Sequence, residues 1–281
     1  MIENNEILGF VRYSLRVNSW KGSSDIFEEK YFKYRFEIFK NITLKSFQNQ
    51  NDMNFMLFLF HSVNMPQEYK EQFSQLEHDN SFLRNVYLHD GEDAFSEFLS
   101  GTIRYIFSGN VSVNFRIDND DGVPCDFISR LREYCKPEFA GHAISMPNIY
   151  VVQRIRDDRY LLQTRYYPCN SMGLAYITDK NNYKTIIELG EHGHINRNIP
   201  VILLPEQIKG GIQTINGKNV TNRITIRGKA LGNFTGLQLK EFLKEHYNIE
   251  PYCLKVCKIN KMTKFLMYIR PVIKIILKRF F

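Results

Sequence analysis

Apolar runs and polar breaks alternate along the chain, and their spacing changes from strand-like to helix-like and back. Ile7-Leu8-Gly9-Phe10-Val11-Arg12-Tyr13-Ser14, rich in β-branched and aromatic residues, predicts a buried strand. A polar loop, Asn18 to Asp25, follows. From Phe27 to about Phe47 apolar residues recur at three and four (Phe32, Phe36, Phe39, Leu44, Phe47), which predicts an amphipathic helix in one or two pieces. Phe55-Met56-Leu57-Phe58-Leu59-Phe60 is a short unbroken apolar run, as expected of a strand buried on both faces of a parallel sheet. Met65 to Leu76 predicts a helix, Asn85 to Leu88 a strand, Asp93 to Tyr105 a helix, and Val111 to Ile117 a fourth strand. Strands and helices in strict alternation predict a doubly wound α/β sheet with helices on both faces. Beyond it, Pro124 to Tyr134 reads as helix. Ile149 to Gln153, Tyr160 to Gln163, Leu174 to Ile177 and Tyr183 to Ile187 read as strands, the last extending to Leu189. Asn198 to Arg227 reads as loops that could form a lid, and Gly236 to His246 as a helix.

Composition adds limits. The chain has 281 residues, 43% apolar and 24% charged, enough apolar content for a real core. No linker-like tract or repeat divides it. Residues 1–250 are therefore expected to form one catalytic domain, with a nucleotide-binding half, 1–121, and an acceptor-side half, 122–250. Residues 251–281 form a tail. Cys125, Cys135, Cys169, Cys253 and Cys257 are odd in number and make no C-x-x-C pair, so they are expected to be reduced thiols. The opening MIENNEILGF lacks a basic segment and a long apolar segment, so no secretory signal is expected, and a cytoplasmic location is.

The net charge of +7 is unevenly spread, and no acidic residue follows Glu250. In the last residues, KMTKFLMYIRPVIKIILKRFF, Arg270, Lys274 and Lys278 recur at four among Phe265, Leu266, Ile269, Ile273, Ile276 and Leu277. Too charged to span a bilayer, this stretch predicts an amphipathic basic helix lying on an anionic membrane surface through residues 261–281. A terminal helix docked on the protein itself, or on a second copy, is the other reading. Interleaved aliphatics, with no nucleic-acid module before them, argue against nucleic acid as partner.

The chemistry concentrates in Asp118-Asn119-Asp120-Asp121, which follows the fourth strand directly. In doubly wound sheets ligands bind beyond the carboxyl ends of the strands. Adjacent carboxylates there repel unless a cation neutralises them, and Mg²⁺ or Mn²⁺ prefers such oxygen ligands together with substrate phosphates. An acidic surface turn is the plain alternative.

These residues also carry a family resemblance. Gly9 to Ser14, Tyr34-Arg35-Phe36-Glu37-Ile38-Phe39, Leu44-Lys45-Ser46-Phe47-Gln48-Asn49-Gln50, Phe55, Pro66 and Arg116-Ile117-Asp118-Asn119-Asp120-Asp121 resemble the GT-A glycosyltransferases, most nearly the bacterial group named putative rhamnosyltransferases. The resemblance implies a GT-A fold, a nucleotide-diphosphate sugar donor and Mn²⁺ or Mg²⁺. Asp118 and Asp120 would be the metal-binding pair, with Asp118 and Asp121 also on the donor side. It implies transfer to a saccharide or lipid-linked acceptor in surface polysaccharide synthesis, lipopolysaccharide or capsule, at the inner face of the cytoplasmic membrane. Gly122 departs from the pattern, where a small apolar residue is expected, so the loop is expected to bend differently there.

Further residues are candidates on chemistry. His192 or His194 could complete a metal shell, or both could be solvated loop histidines. A proton-accepting carboxylate would come from Glu188 or Glu191, ranked ahead of Asp157 and Asp158, which read as a charged β-turn. Arg12 and Arg35 offer planar forks for a diphosphate. Two other readings stand beside the transferase. One is a nucleotidyltransferase or other metal-dependent phosphoryl-transfer enzyme, which the stretch Arg16 to Ser23 matches only partly as a Gly-rich loop. The other is a non-catalytic membrane-surface scaffold.

Overall fold

The computed structural model describes residues 7–17, 26–103, 110–181, 183–215 and 229–256. The predicted tail, 261–281, lies outside the described residues, as do most of the loop after the first strand and residues 216–228. Among the described residues no helix is long and apolar enough to cross a membrane.

In chain order the strands are β1 (Ile7–Arg12), β2 (Met56–Ser62), β3 (Leu83–Leu88), β4 (Val111–Arg116), β5 (Ala143–Ser145) and β6 (Asn148–Arg156), followed by β7 (Arg159–Tyr166), β8 (Leu174–Asp179), β9 (Val201–Leu203), β10 (Ile212–Ile215) and β11 (Lys229–Thr235). The helices are α1 (Glu29–Ile38), α2 (Lys45–Gln48), α3 (Gln67–Asp79), α4 (Glu92–Phe98), α5 (Phe127–Glu133) and α6 (Gly236–His246). A π-helical turn, Phe39–Leu44, joins α1 to α2 without a break, so the two-piece helix of the sequence is one helix with an inserted bulge.

Seven strands form the main sheet in the order β3-β2-β1-β4-β8-β5-β9. β3, β2, β1 and β4 run parallel, and β8 is antiparallel to both its neighbours. β5, β8 and β9, which follow residue 121, extend this sheet. A smaller sheet, β10-β6-β7-β11, comes wholly from the second half of the chain.

The apolar runs are explained by burial on both faces. Ile7, Val11, Leu57 and Leu59 join Phe32, Phe36, Phe73 and Phe127 on one side. Leu8, Phe10, Phe58 and Phe60 join Phe95 and Leu99 of the α4 region on the other. Gly9 is required by the first packing: a Cβ there would lie 2.6 Å from Leu57 and inside the ring of Phe115. The smaller sheet packs Tyr150, Val152 and Leu162 against Leu239, Leu243 and Tyr247, and against Ile38 and Ile42 beneath α1.

Two segments differ from the sequence-based expectation. Residues 186–189 form a turn rather than a strand. The side chain of Asn114 in β4 donates to the Lys184 carbonyl at 3.1 Å and accepts from the Ile186 N–H at 2.6 Å, which satisfies that backbone without a ladder. The Gly- and Pro-rich stretch after Asn198 contains β9 and β10, two edge strands too short to show a period.

Candidate active site

The order β3-β2-β1-β4 reverses direction between β1 and β4, and the crevice beyond their carboxyl ends is the switch point where α/β sheets bind ligands. Arg12 ends β1 and Arg116 ends β4, and the acidic cluster follows at once. Asp118 and Asp120 are partly exposed, whereas Asn119 and Asp121 are buried. The cluster therefore presents two carboxylates outward, two residues apart, and turns the other two side chains in.

The inward pair anchors the loop. Asn119 donates to the Tyr13 carbonyl at 3.3 Å, tying the loop to the end of β1. Asp121 accepts from the Thr214 N–H at 3.2 Å, while the Thr214 hydroxyl donates to the Asp120 carbonyl at 2.6 Å. Burial first, then the charges of Asp120 and Asp118, hold the Asp121 carboxyl well above its ordinary range. Asp121, expected on the donor side, is thus an internal anchor. Gly122 answers the departure noted in the sequence: it bridges to Ile212 through N–H and carbonyl bonds of 3.0 and 2.8 Å, and a Cβ there would stand 3.1 Å from Ile212.

The π-helical turn and the residues after it hold the same loop from below. Thr43 donates to the Asp121 carbonyl at 2.8 Å, and Ser46 accepts from the Val123 N–H at 3.3 Å. Gln50 donates to the Pro124 carbonyl at 2.8 Å and accepts from the Ile128 N–H at 3.0 Å. The Ser46 and Gln50 positions of the family-like stretch are therefore supports of the acidic loop, far from it in sequence. A π-bulge at a functional site is a recurrent arrangement.

Around the outward carboxylates stand cations. Asp118 accepts from Ser171 at 2.8 Å and lies 3.7 Å from Arg116. Ser171 sits on a strap whose shape needs positive φ at Cys169 (54°) and Gly173 (85°), and buried Asn170 pins it to the Met146 and Tyr167 carbonyls. Arg35 donates to the Tyr31 hydroxyl at 3.1 Å, lies over the Tyr13 ring and feels the charge of Asp120. Arg35 is thus engaged by α1 aromatics and the acidic loop.

The histidines separate. His192 and His194 belong to a 3₁₀ helix, His192–Arg197. Half-buried His192 stands edge-on to Tyr167, and burial, then the charge of Arg116, lowers its imidazole against the opposing charge of Asp118. His194 is exposed and pairs with Glu191 at 3.5 Å. Glu188 accepts from both the N–H and the hydroxyl of Thr185 at 2.7 Å, so its carboxylate caps its own turn. Among the described residues no three His, Cys, Asp or Glu side chains converge as a ready-made metal set. The charged Asp157-Asp158 turn joins β6 to β7 as expected, and Asp158 accepts from the Gly236 N–H at the start of α6. The described cysteines, 125, 135, 169 and 253, are free thiols, and Cys257 lies outside the described residues.

The α/β sheet, parallel through β3-β2-β1-β4, thus sets two outward carboxylates and two arginines at its switch point, the place where such sheets bind ligands. The family model "Putative rhamnosyl transferase" matches residues 9–228. The chain belongs to this family. No curated protein matches it. Among solved structures it is similar to S. aureus TarS 1-349 in complex with UDP, with 9% identity over 75% of this chain and 61% of that chain and a TM-score of 0.42. It is also similar to the same protein in complex with UDP-GlcNAc, with 12% identity over 74% and 58% and a TM-score of 0.41. The chain thus spans about three-fifths of the TarS chains it matches.

Proposed function

We propose that the chain is a GT-A enzyme that moves a sugar from a nucleotide-diphosphate donor to a saccharide or lipid-linked acceptor in surface polysaccharide assembly. The observation that carries this reading is the outward pair Asp118 and Asp120 beside Arg12, at the reversal of strand order in a family of glycosyltransferases. Two oxygen-bearing side chains fit Mg²⁺ or Mn²⁺, which is commonly held by one or two carboxylates plus substrate phosphates. Asp118 and Asp120 would hold it, with His192 as the available ring nitrogen, and bound there it supplies positive charge beside the leaving nucleoside diphosphate. With no further carboxylate converging on that pair among the described residues, cation and nucleotide are expected to bind together. Arg12 would meet the diphosphate and Arg35 would steady Asp120. Glu191, exposed and paired with exposed His194, would take the acceptor proton if configuration inverts.

Calorimetric titration with UDP, GDP, dTDP and CDP, each with and without Mn²⁺, tests this. One nucleotide should bind in the micromolar range with Mn²⁺ and at least tenfold more weakly without it, while Mn²⁺ alone binds weakly. Absence of binding by all four to folded protein would favour the scaffold reading.

The acceptor would be met at a membrane. The basic, aliphatic stretch 261–281 suits an anionic leaflet and supports a peripheral position on the inner face of the cytoplasmic membrane. Flotation of the full chain with vesicles should show binding to phosphatidylglycerol but not to neutral phosphatidylcholine. Equal behaviour with both would remove this part.

A further inference from the structure

We propose that Arg12 and Arg116 together form a clamp for the diphosphate of the donor, a role resting on the nucleotide-sugar reading above. Among the described residues neither arginine has a hydrogen-bonded carboxylate, and Arg116 is the buried one. The Arg116 side chain is only 14% exposed, and its Nε is buried without a hydrogen-bond partner. Its neighbouring carboxylate, Asp118 Oδ1, stands at 3.7 Å, too far for a hydrogen bond, and the other Asp118 oxygen already accepts from Ser171. A buried guanidinium with an idle N–H is costly, and native proteins seldom keep one without a ligand or water to meet it.

The sheet sets the second arginine beside the first. Arg116 lies opposite Phe10 in the parallel β1–β4 register, and Arg12 is the next residue along β1 on the same face. That face carries Phe10 and packs against Phe95 and Leu99. Among the described residues Arg12, exposed at the end of β1, makes no hydrogen bond or ion pair; partial burial of its stem and then Arg116 disfavour its charge, against Asp118 and Glu92. Two guanidinium groups thus stand at the switch point, with Asp118 near both and Glu92 felt by Arg12, and no carboxylate hydrogen-bonded to either among the described residues. Bridging phosphoryl oxygens would satisfy both forks at once, because planar guanidinium geometry matches phosphate. Arg35 cannot be the second jaw from where it stands, since Tyr31 and the Tyr13 ring engage it on the α1 side.

Calorimetry of the full chain with inorganic pyrophosphate in EDTA isolates the clamp from any metal. The unaltered chain should bind, and Arg12→Gln and Arg116→Gln should each weaken binding about tenfold or more. Arg116→Lys should fall between, keeping the charge but not the fork. Arg84→Gln, at the amino end of β3, should bind as the unaltered chain does. No pyrophosphate binding by the unaltered chain, or binding by Arg12→Gln and Arg116→Gln as tight as by the unaltered chain, would overturn the clamp. Pyrophosphate binding that both variants lose, with none of the four nucleotides bound under any condition, would keep the clamp and remove the nucleotide-sugar reading. Should Arg116→Gln fail to fold, Arg12→Gln, on the open end of β1, decides the matter alone.

Discussion

Replacing Asp120 by asparagine should cut sugar transfer by roughly 10²–10³-fold while the melting temperature stays level or rises slightly. The carboxylate faces outward, and the bond that ties this residue into the fold comes from Thr214 to the Asp120 backbone carbonyl. Asparagine keeps that carbonyl and nearly the same shape. It removes one of three crowded negative charges, and so relieves buried Asp121, whose carboxyl is pushed up by burial and by Asp120. What is lost is a charged oxygen for a divalent cation beside the leaving group, where such charge is worth several kcal/mol. Nucleotide binding should lose its Mn²⁺ dependence in the same variant. Asp121→Asn should instead leave much of the activity, because its carboxylate is an internal acceptor for Thr214. Turnover measured on both variants decides between them: full activity in Asp120→Asn would end the metal-pair assignment.

The second large effect is on acid stability and centres on His61. This residue in β2 is fully buried, stacked near Tyr87 and packed on Tyr13 and Phe73. Asn85 donates its amide to the Phe73 carbonyl and to Glu77, so its oxygen must accept from His61 Nε2 at 3.0 Å. That fixes a neutral tautomer with Nδ1 buried and unpartnered. Burial pushes the imidazole down to about 3 from an ordinary 6.5. Between those values the unfolded chain takes up a proton that the folded chain refuses, so stability falls as pH drops below 6.5 and is unaffected by this group above it. By pH 4.5 the loss from His61 is about 2–3 kcal/mol. His61→Phe leaves Asn85 with an unpaired oxygen, a cost that does not vary with pH. Urea midpoints at pH 7.5 and 4.5 should therefore fall less on acidification in the variant. An identical fall in both chains would show that the histidine is not the acid-sensitive group.

Much of this molecule was readable as pattern. The unbroken apolar run at 55–60 meant a strand covered on both faces, and Met56, Leu57, Phe58, Leu59 and Phe60 do alternate between two cores. The helix from Gly236 to His246 was bounded by its own chemistry, since Thr235 and Gln238 form a capping box. The turn taken for a strand at 185–189 shows where pattern fails. Thr185, Ile186 and Ile187 have strand-like composition, but Asn114, more than 70 residues earlier, supplies the hydrogen bonds that a neighbouring strand would otherwise provide.

The site divides in the same way. Sequence alone determined that four polar residues with three carboxylates close a buried strand, because period and composition are local properties of the chain. Local order could not say which carboxylates face out. That depends on Thr214, Thr43, Ser46 and Gln50, which reach the loop from α1–α2 and from the second sheet. Nor could it show that Arg116 is left with an idle buried N–H beside Arg12 while Arg35 is occupied by Tyr31. Side-chain direction at a strand end is set by cross-strand register and by competition among distant partners, and those exist only once the sheet has formed.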